Sequence, residues 1–317
     1  MKNFNKLNYS LLPTPVHKLE NLSKYLDSNI YCKRDDLTGF AFGGNKTRKL
    51  DYLIAEALEN GSDTIVAVGA YQSNFCRIAS AFGAACGLEV WLVLGGKKPD
   101  KATGNLMLDY LFGANIKDVD SFEWNDWEEA AKILEKELVA DGKKVFLMPV
   151  GGSTKIGALG YIECMKEITE FSKKERIHFN NIFHATGSAG TQAGLVVGKT
   201  LTKWNGTING MAITKNAQQI FKEVKVLSDE TGKLFDILIN ENDIVVDDNY
   251  IGEAYGAETK GAKEAISLFA KREGILLDTV YSGKAAAGLI DYARKGKIRN
   301  SDNVLFIHTG GNIQIFK

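Results

Sequence analysis

Metal-binding and disulfide-forming residues are scarce in this sequence of 317 residues. The four cysteines and four histidines are scattered along it: Cys32, Cys76, Cys86, Cys164, His17, His178, His184 and His308. Their spacing matches neither the paired ligands of a zinc site nor the dense cysteine framework of a small secreted domain. We therefore expect no bound metal, and we expect free thiols in the reducing environment of the cytoplasm.

An excess of charge is lacking as well, and so is any long hydrophobic run. Lys+Arg and Asp+Glu both number 39, which argues against a nucleic-acid partner. No uninterrupted apolar stretch has the ~20 residues of a membrane-spanning helix, and the first residues lack the apolar core of a signal peptide. A hydrophobic content of 44% is typical of a globular protein of one large or two ordinary domains, without a membrane partner.

Short apolar runs alternate with amphipathic stretches along most of the chain. The runs that predict strands are 30–33, 64–68, 90–94, 116–119, 145–149, 181–186, 207–214 and 304–308. The stretches between them that predict helices include 19–26, 106–112, 127–140, 156–171, 217–231, 260–272 and 283–295. Strand, glycine turn and helix in repetition are the signature of a parallel sheet covered by helices, which predicts an α/β protein.

The strongest local feature is a glycine turn that carries a lysine. Gly43 and Gly44 are followed by Asn45 and Lys46, and apolar residues at helical spacing begin at Leu50. Lys46 is therefore predicted at or just before a helix N-terminus, whose partial positive charge favours the neutral amine that Schiff-base chemistry requires. The alternative is that Lys46 is a solvated lysine at the helix start, like its neighbour Lys49.

A run of five small residues, Gly187, Ser188, Ala189, Gly190 and Thr191, follows a predicted strand and precedes a predicted helix. Such a run lets backbone N–H groups converge on an anion at the helix N-terminus, and its hydroxyls add donors. We predict that it binds a phosphate group. The alternative is a tight turn whose glycines serve only packing, whereas a dinucleotide is disfavoured because Gly-x-Gly-x-x-Gly is absent.

Two more glycine-flanked junctions follow predicted strands, at 69–74 and 309–311. Because the carboxyl ends of strands border the ligand crevice of an α/β sheet, we expect both junctions and 187–191 to face one cleft. Within the first junction, capping of the next helix by Ser73 or Asn74 is the alternative.

Two tyrosines, Tyr255 and Tyr281, lie in polar, glycine-rich segments. A tyrosine in such a place can stack on a cofactor ring or shuttle a proton. The alternative is that each is a half-buried tyrosine of a loop.

Six motifs follow one another in a recognisable order. They are Gly43-Gly-Asn-Lys-Thr-Arg-Lys-Leu50, Gln72-Ser73-Asn74, Thr103-Gly-Asn105, Gly151-Gly-Ser153 with Gly157-Ala-Leu-Gly160, Gly187-Ser-Ala-Gly-Thr-Gln-Ala-Gly194 and Tyr281-Ser-Gly-Lys284. Together they resemble the D-cysteine desulfhydrase and 1-aminocyclopropane-1-carboxylate deaminase family over nearly the whole chain. The resemblance implies a pyridoxal 5′-phosphate enzyme of the tryptophan-synthase-β-like fold type II, usually a homodimer, that acts on a small amino acid.

The resemblance also implies an arrangement of domains and a set of site residues. Two three-layer αβα domains with mainly parallel sheets are implied, a large one from 1–48 and 156–317 and a small one from 49–155 inserted in it, with the cofactor between them. Implied in catalysis are Lys46, Ser73, Tyr255 and Tyr281. Implied in cofactor binding are Lys46, Asn74, Gly187, Ser188, Ala189, Gly190, Thr191, Tyr281 and Thr309. Implied in substrate binding are Gln72, Ser73, Asn74, Tyr255 and Ser282.

The choice of reaction is predicted from two of these positions. Where the deaminases of the family have Glu and Leu, and the desulfhydrases Ser or Thr, this sequence has Ser282 and Thr309. We therefore expect α,β-elimination, with D-cysteine giving pyruvate, hydrogen sulfide and ammonia. The alternatives are the deaminase reaction, elimination from D-serine, 3-chloro-D-alanine or L-cysteate, and a non-catalytic protein that binds a phosphate ligand. Phe75 departs from the family, which usually has His or Gln there.

Overall fold

The computed structural model describes residues 4–253 and 256–316, which form two sheets covered by helices. The strands are β1 (Val16–Lys18), β2 (Asn29–Lys33), β3 (Thr64–Ala70), β4 (Glu89–Gly95), β5 (Asn115–Val119), β6 (Val145–Met148), β7 (Asn181–Thr186), β8 (Thr207–Ala212), β9 (Val245–Asp247) and β10 (Asn303–Ile307). The helices are α1 (Glu20–Leu26), α2 (Asn45–Glu59), α3 (Asn74–Cys86), α4 (Gly104–Leu111), α5 (Trp124–Ala140), α6 (Leu159–Glu175), α7 (Gly190–Thr202), α8 (Ala217–Lys233), α9 (Lys260–Glu273) and α10 (Ser282–Arg294).

The two sheets are almost entirely parallel, which confirms the predicted α/β class. The larger sheet has the order β1-β2-β10-β7-β8-β9, and only β1 runs antiparallel to its neighbour. The smaller sheet has the order β5-β4-β3-β6 and is wholly parallel. All strands of the smaller sheet fall within the predicted small domain, 49–155, whose boundaries stay a prediction.

Each sheet is buried on both faces, as parallel sheets usually are. In β10 the alternate residues Val304 and Phe306 belong to one hydrophobic cluster, together with side chains of α9 and α10. Leu305 and Ile307 belong to another cluster, together with side chains of α6 and α7. Because successive side chains of a strand point to opposite faces, this alternation produces a layer of helices on each side of the sheet.

The predicted strands and helices differ from the observed ones mainly at their ends. The strand predicted at 207–214 stops at Ala212, and beyond it the Thr214 hydroxyl donates to the carbonyl oxygen of Gly187 at 2.9 Å. Strands β1 and β9 were not predicted, since each has three residues and too little sequence to show a period.

No helix within residues 4–253 and 256–316 combines the length and the apolar character needed to cross a membrane.

A buried cluster of charges fixes the start of α2. Arg48 donates from Nε and Nη2 to the Asp35 carboxylate, both at 2.9 Å, and from Nη1 and Nη2 to Glu167 at 2.7 and 2.9 Å. The Tyr161 hydroxyl donates to Asp35 at 2.7 Å, and Lys33 donates to Glu167 at 2.5 Å. Since the side chains of Arg48 and Asp35 are both fully buried, α2 is held to the end of β2 and to α6 by charge-assisted hydrogen bonds.

We expect Arg48→Leu to lower the free energy of unfolding by about 3–5 kcal/mol, because it leaves buried carboxylates without their partner. Urea denaturation measures this change. The matched control is Lys98→Leu, which removes an ion pair with Asp118 at the exposed surface and should cost less than about 1 kcal/mol. Equal losses in the two variants would show that the Arg48 cluster does not stabilise the fold.

The same cluster gives a pH dependence of known sign. Burial opposes ionisation of the Asp35 carboxyl, but Arg48 and Lys33 outweigh it, and the net pKa is lowered. The contribution of Asp35 to stability is therefore present above its unfolded pKa of about 3.9 and is lost as the pH falls through the lower pKa of the folded state.

Candidate active site

The lysine-bearing turn is shaped by glycines and tied to the larger sheet. Gly43 and Gly44 have φ values of 63° and 112°, a region that costs glycine no strain. α2 then begins at Asn45, whose backbone N–H donates to the carbonyl oxygen of Thr309 at 2.9 Å. Lys46 is the second residue of the helix, so its predicted place at a helix N-terminus is confirmed.

Lys46 reaches into a cavity between the carboxyl ends of strands of both sheets. Nine of the residues that the sequence analysis named for catalysis, cofactor binding or substrate binding line it: Lys46, Ser73, Asn74, Gly187, Ser188, Ala189, Thr191, Tyr281 and Thr309. The remaining lining residues are Asn45, Gly69, Ala70, Phe75, Trp124, Trp127, Val150, Gly151, Ala185, Thr186 and Thr214. The prediction that the three glycine-flanked junctions face one cleft is therefore confirmed.

Two lysine amines lie side by side, one lining this cavity (Lys46) and one outside its lining (Lys49). The Nζ atoms of Lys46 and Lys49 both donate to the carbonyl oxygen of Gly151, each at 3.2 Å. Burial lowers the pKa of Lys46 to about 8, and burial together with the charge of Lys46 lowers the pKa of Lys49 well below its usual value. The lowered pKa expected of Lys46 is thus found, with burial as its main cause.

The expectation that Lys49 is a solvated lysine is wrong, because its side chain is completely buried. The sequence did indicate that Lys49 lies near Lys46, because a spacing of three residues places both on the same face of α2. Lys49 is a site residue that the sequence analysis missed.

The turn between β7 and α7 can only be built from small residues. Ala189 has φ 64° and ψ −39°, a region that non-glycine residues rarely adopt. A Cβ atom on Gly190 would lie 2.6 Å from Lys49 Nζ and 3.0 Å from Ser153 Oγ. The Lys49 amine therefore lies directly under the first residue of α7.

The groups around this turn fit a phosphate group. The first N–H groups of α7 have no partner within the helix and carry partial positive charge. Ser188 and Thr191 line the cavity, and the Thr191 hydroxyl oxygen already accepts from Asn45 at 3.0 Å, which leaves its proton to donate. Together with the buried Lys49 amine and the partial positive charge of the helix end, these donors supply the hydrogen bonds that a dianion requires.

Of the polar residues at the end of β3, the structure brings Ser73 and Asn74 into the cavity but not Gln72. The Ser73 hydroxyl oxygen accepts from the N–H of Cys76 at 3.2 Å, so the capping alternative is correct for it. The Gln72 side chain instead donates to the carbonyl oxygen of Thr103 and accepts from the N–H of Asn105, both at 3.0 Å. Gln72 thus joins two loops of the smaller sheet.

Ser282 does not line the cavity, although Tyr281 and Thr309 do. The Ser282 hydroxyl donates to the buried carboxylate of Asp278 at 2.5 Å, and Asp278 also accepts from the backbone N–H of Tyr281 at 2.7 Å. Asp278, four residues before Ser282, is a second residue that the sequence analysis missed. Tyr255 lies outside the described residues.

Aromatic side chains close the cavity on the side of the smaller sheet. Trp124 and Trp127 of α5 line it, and so does Phe75, whose ring would contact any Cβ on Gly152 at 2.7 Å. Lys215, which follows β8 in the larger sheet, places its Nζ 4.4 Å from the centre of a Trp124 ring. This cation–π contact joins a residue that follows a strand of the larger sheet to a helix that covers the smaller sheet. No motif in the sequence signalled it.

The chain is similar to known proteins over nearly its whole length. Residues 7–310 match the sequence pattern of a family described as pyridoxal-phosphate dependent enzymes. A Pyrococcus furiosus protein, provisionally named as a 1-aminocyclopropane-1-carboxylate deaminase, is 38% identical across 94% of this chain and 89% of its own. The D-cysteine desulfhydrase of Serratia proteamaculans is also 38% identical, across 96% of this chain and 92% of its own.

One solved structure agrees closely with the fold. A crystal structure described as that of an ACC deaminase homologue superimposes with a TM-score of 0.92 at 34% identity, over 99% of this chain and 94% of that one. The fold and the family that the motifs implied are thus confirmed.

We expect borohydride reduction of the protein loaded with pyridoxal 5′-phosphate to leave the adduct on Lys46 and not on Lys49. Both amines have lowered pKa values, but only Lys46 lines the cavity. Peptide mapping by mass spectrometry identifies the lysine. The rate of adduct formation should increase as the pH rises through about 8, since the neutral amine is the nucleophile. An adduct on Lys49 would contradict the assignment.

We expect Gly190→Ala to weaken the binding of pyridoxal 5′-phosphate at least about tenfold, because the added methyl group displaces the Lys49 amine. Fluorescence titration measures the affinity. Gly261→Ala is the matched control, since Gly261 also lies in the first turn of a helix and a Cβ there meets only the Cβ of Ala287, at 3.3 Å. Equal affinities in both variants would place the phosphate elsewhere.

Proposed function

This chain belongs to the family of pyridoxal-phosphate dependent enzymes, and we propose that it catalyses α,β-elimination on a small amino acid, with D-cysteine as the substrate. In this reaction D-cysteine and water give pyruvate, hydrogen sulfide and ammonia. The observation that carries the proposal is the Lys46 amine, whose pKa is lowered to about 8, in one cavity with the anion-binding turn 187–191.

Pyridoxal 5′-phosphate, when bound, supplies an aromatic ring that stabilises negative charge at the α-carbon of the substrate. The residues that would hold it are Lys46 for the covalent link and Ser188, Thr191 and Lys49 for the phosphate. A bound phosphate would raise the lowered pKa of Lys49, so that its protonated amine would offset a negative charge that a low-dielectric cavity otherwise disfavours.

The proton of the substrate α-carbon needs a base within the cavity. The Lys46 amine serves as this base, because lowering its pKa to about 8 leaves about a tenth of it neutral at pH 7, far more than in an ordinary lysine. The Ser73 hydroxyl uses only an oxygen lone pair in capping α3, so its proton is left to donate to a substrate carboxylate. Tyr281, at the opposite junction, lines the same cavity and completes its polar surface.

The nature of the leaving group follows from the cavity wall. Phe75, Trp124, Trp127 and Val150 give it an apolar side, which suits the sulfur of cysteine. The sulfonate of cysteate would have to leave water against this apolar side, where the nearby Lys215 amine is already paired with Glu223, and such a transfer is costly.

The absence of an acidic neighbour favours elimination over the deaminase reaction. No Asp or Glu of the described residues lines the cavity, and Thr309 occupies the end of β10. A cofactor ring held beside the Thr309 hydroxyl and without a carboxylate would be a weaker electron sink, which would suffice when a thiolate leaves. Opening a cyclopropane ring requires a stronger sink, so the deaminase, the name given to the Pyrococcus furiosus relative, is the second candidate.

We also propose that the enzyme acts in the cytoplasm as a homodimer. All four cysteines are free thiols, in keeping with a reducing compartment. Met107 and Leu111 of α4 are exposed by 51% and 75%, and so is Phe316 of the adjoining C-terminal turn, by 72%. An apolar face of this kind supports contact with a second copy of the chain.

We expect the loaded enzyme to release sulfide and pyruvate from D-cysteine, and to release no 2-oxobutyrate from the cyclopropane amino acid. A panel with L-cysteine, D-serine and L-cysteate measures the preference, and Lys46→Ala should lower the rate at least about a hundredfold.

Two results would overturn the proposal. Faster release of 2-oxobutyrate than of pyruvate would make the protein a deaminase. A colourless protein that releases neither product would make it a binder of another phosphate ligand.

A further inference from the structure

We propose that Arg77 and Asn105 are positioning residues that fix the side-chain amide of Asn74, so that its NH2 group, and not its oxygen, faces an anionic oxygen atom in the cavity. The proposal rests on the proposed function only for the identity of that oxygen, which belongs to the ring hydroxyl of the cofactor or to the carboxylate of the substrate.

The direction of the amide follows from a chain of hydrogen bonds that begins at Arg77. Its Nη1 atom donates to Asn105 Oδ1 at 2.8 Å and to Asn74 Oδ1 at 3.1 Å. A guanidinium group has five donors and no acceptor, so both amides must turn their oxygens towards it. The orientation is therefore dictated by chemistry and does not depend on how the amide atoms were assigned.

Asn105 completes the constraint on Asn74. With its oxygen turned to Arg77, the NH2 group of Asn105 donates to Asn74 Oδ1 at 2.9 Å and to the carbonyl oxygen of Gln72 at 2.8 Å. The oxygen of Asn74 thus accepts two hydrogen bonds, which occupy both of its lone pairs. Because Asn74 lines the cavity, only its two N–H donors are available to a ligand.

Within residues 4–253 and 256–316, the guanidinium of Arg77 behind Asn74 forms no direct ion pair. Arg77 is 1% exposed, and its Nε atom has no hydrogen-bond partner in the described part of the chain. The nearest carboxyl, Asp109, accepts instead from Ser80 at 3.1 Å, and its second oxygen is without a described partner. Burial raises the pKa of Asp109 to about 7, so near neutral pH this group only partly offsets the cation.

Arg77 also connects this network to the lysine-bearing turn. Its Nη2 atom donates to the carbonyl oxygen of Gly43 at 2.8 Å. One buried cation therefore holds the amide that faces the ligand and the turn that precedes Lys46. Since a hydrogen bond strengthens when its donor is polarised by a nearby charge in a low-dielectric interior, Asn74 is a better donor to an anion than an isolated amide.

A purely structural network would stabilise the fold without affecting which ligand atoms are recognised. Our proposal differs because it requires discrimination of a single oxygen atom. The test therefore compares the affinity of the apo-protein for pyridoxal 5′-phosphate with its affinity for the analogue that lacks the ring 3-hydroxyl. Tryptophan fluorescence measures both dissociation constants without any turnover.

The decisive variant is Asn105→Asp, which keeps the size of the side chain but replaces its donor by an acceptor. Asn74 Oδ1 then keeps only its hydrogen bond from Arg77 and faces a carboxylate oxygen in place of a donor, so the amide is no longer held in one direction. We expect the preference for pyridoxal 5′-phosphate over the 3-deoxy analogue to fall at least about tenfold. The added charge also repels an ionised ring hydroxyl, so the preference must fall in the charge-conserving variant Arg77→Lys as well.

The matched control is Asn209→Asp, another buried asparagine, whose amide donates to Asn181 within the larger sheet at 3.2 Å and does not line the cavity. It should leave the ratio unchanged. Arg77→Lys is the second variant, since it keeps the charge but loses the fork that holds both amides. We expect an intermediate loss of preference, which decides the question where Asn105→Asp does not fold.

A second arm identifies the source of the oxygen. The loaded variants are titrated with D-alanine and with ethylamine, which lacks the carboxylate, and the shift of the cofactor absorption band gives the affinities. A loss of carboxylate preference with an unchanged ring-hydroxyl preference assigns Asn74 to the substrate.

If both preferences equal those of the wild type in folded Asn105→Asp and Arg77→Lys proteins, the positioning role is wrong. That outcome is separate from a failure of the proposed function, which is judged by product release from D-cysteine.

Discussion

The buried ion pair between Arg48 and Asp35 is the contact on which the position of Lys46 depends. Arg48 lies two residues after Lys46 in α2, and the pair is fully buried, so its geometry is set by the two hydrogen bonds between the side chains and not by solvent. The backbone bond from Asn45 to Thr309 holds the same turn from the other side. Because α2 is held at both points, the amines of Lys46 and Lys49 stay at the same carbonyl oxygen, that of Gly151. A helix free to move would separate the two amines, because their charged forms repel each other.

Three buried basic groups therefore lie around the cavity, and no carboxylate among its described lining residues is paired with them. Lys46, Lys49 and Arg77 approach it from two helices, and each has its pKa lowered by burial. The cost of burying unbalanced positive charge is what lowers these pKa values. A bound anion would remove this cost and raise the pKa values again, so binding of a phosphate ligand would be coupled to uptake of protons.

Much of this was predictable from the sequence, and the rest was not for a definite physical reason. The strand 181–186 and the helical position of Lys46 were predicted because hydrophobic period and glycine turns act over a few residues. The direction of Ser282 was not, since it depends on the carboxylate of Asp278 across a turn. The contact of Lys215 with Trp124 joins residues about ninety positions apart, and no local pattern records such a pair.

The place of β10 in the larger sheet has a consequence for how the protein is made. This strand pairs with β2 on one side and with β7 on the other, yet it leaves the ribosome some 270 residues after β2. At about 5–20 residues per second, translation takes roughly 15 to 50 s to cover that distance. The smaller sheet, complete at Met148, can form meanwhile, whereas one edge of β2 waits unpaired. During this interval the smaller sheet can fold while one edge of β2 has no partner strand. The cavity can form only after β10 has joined the larger sheet.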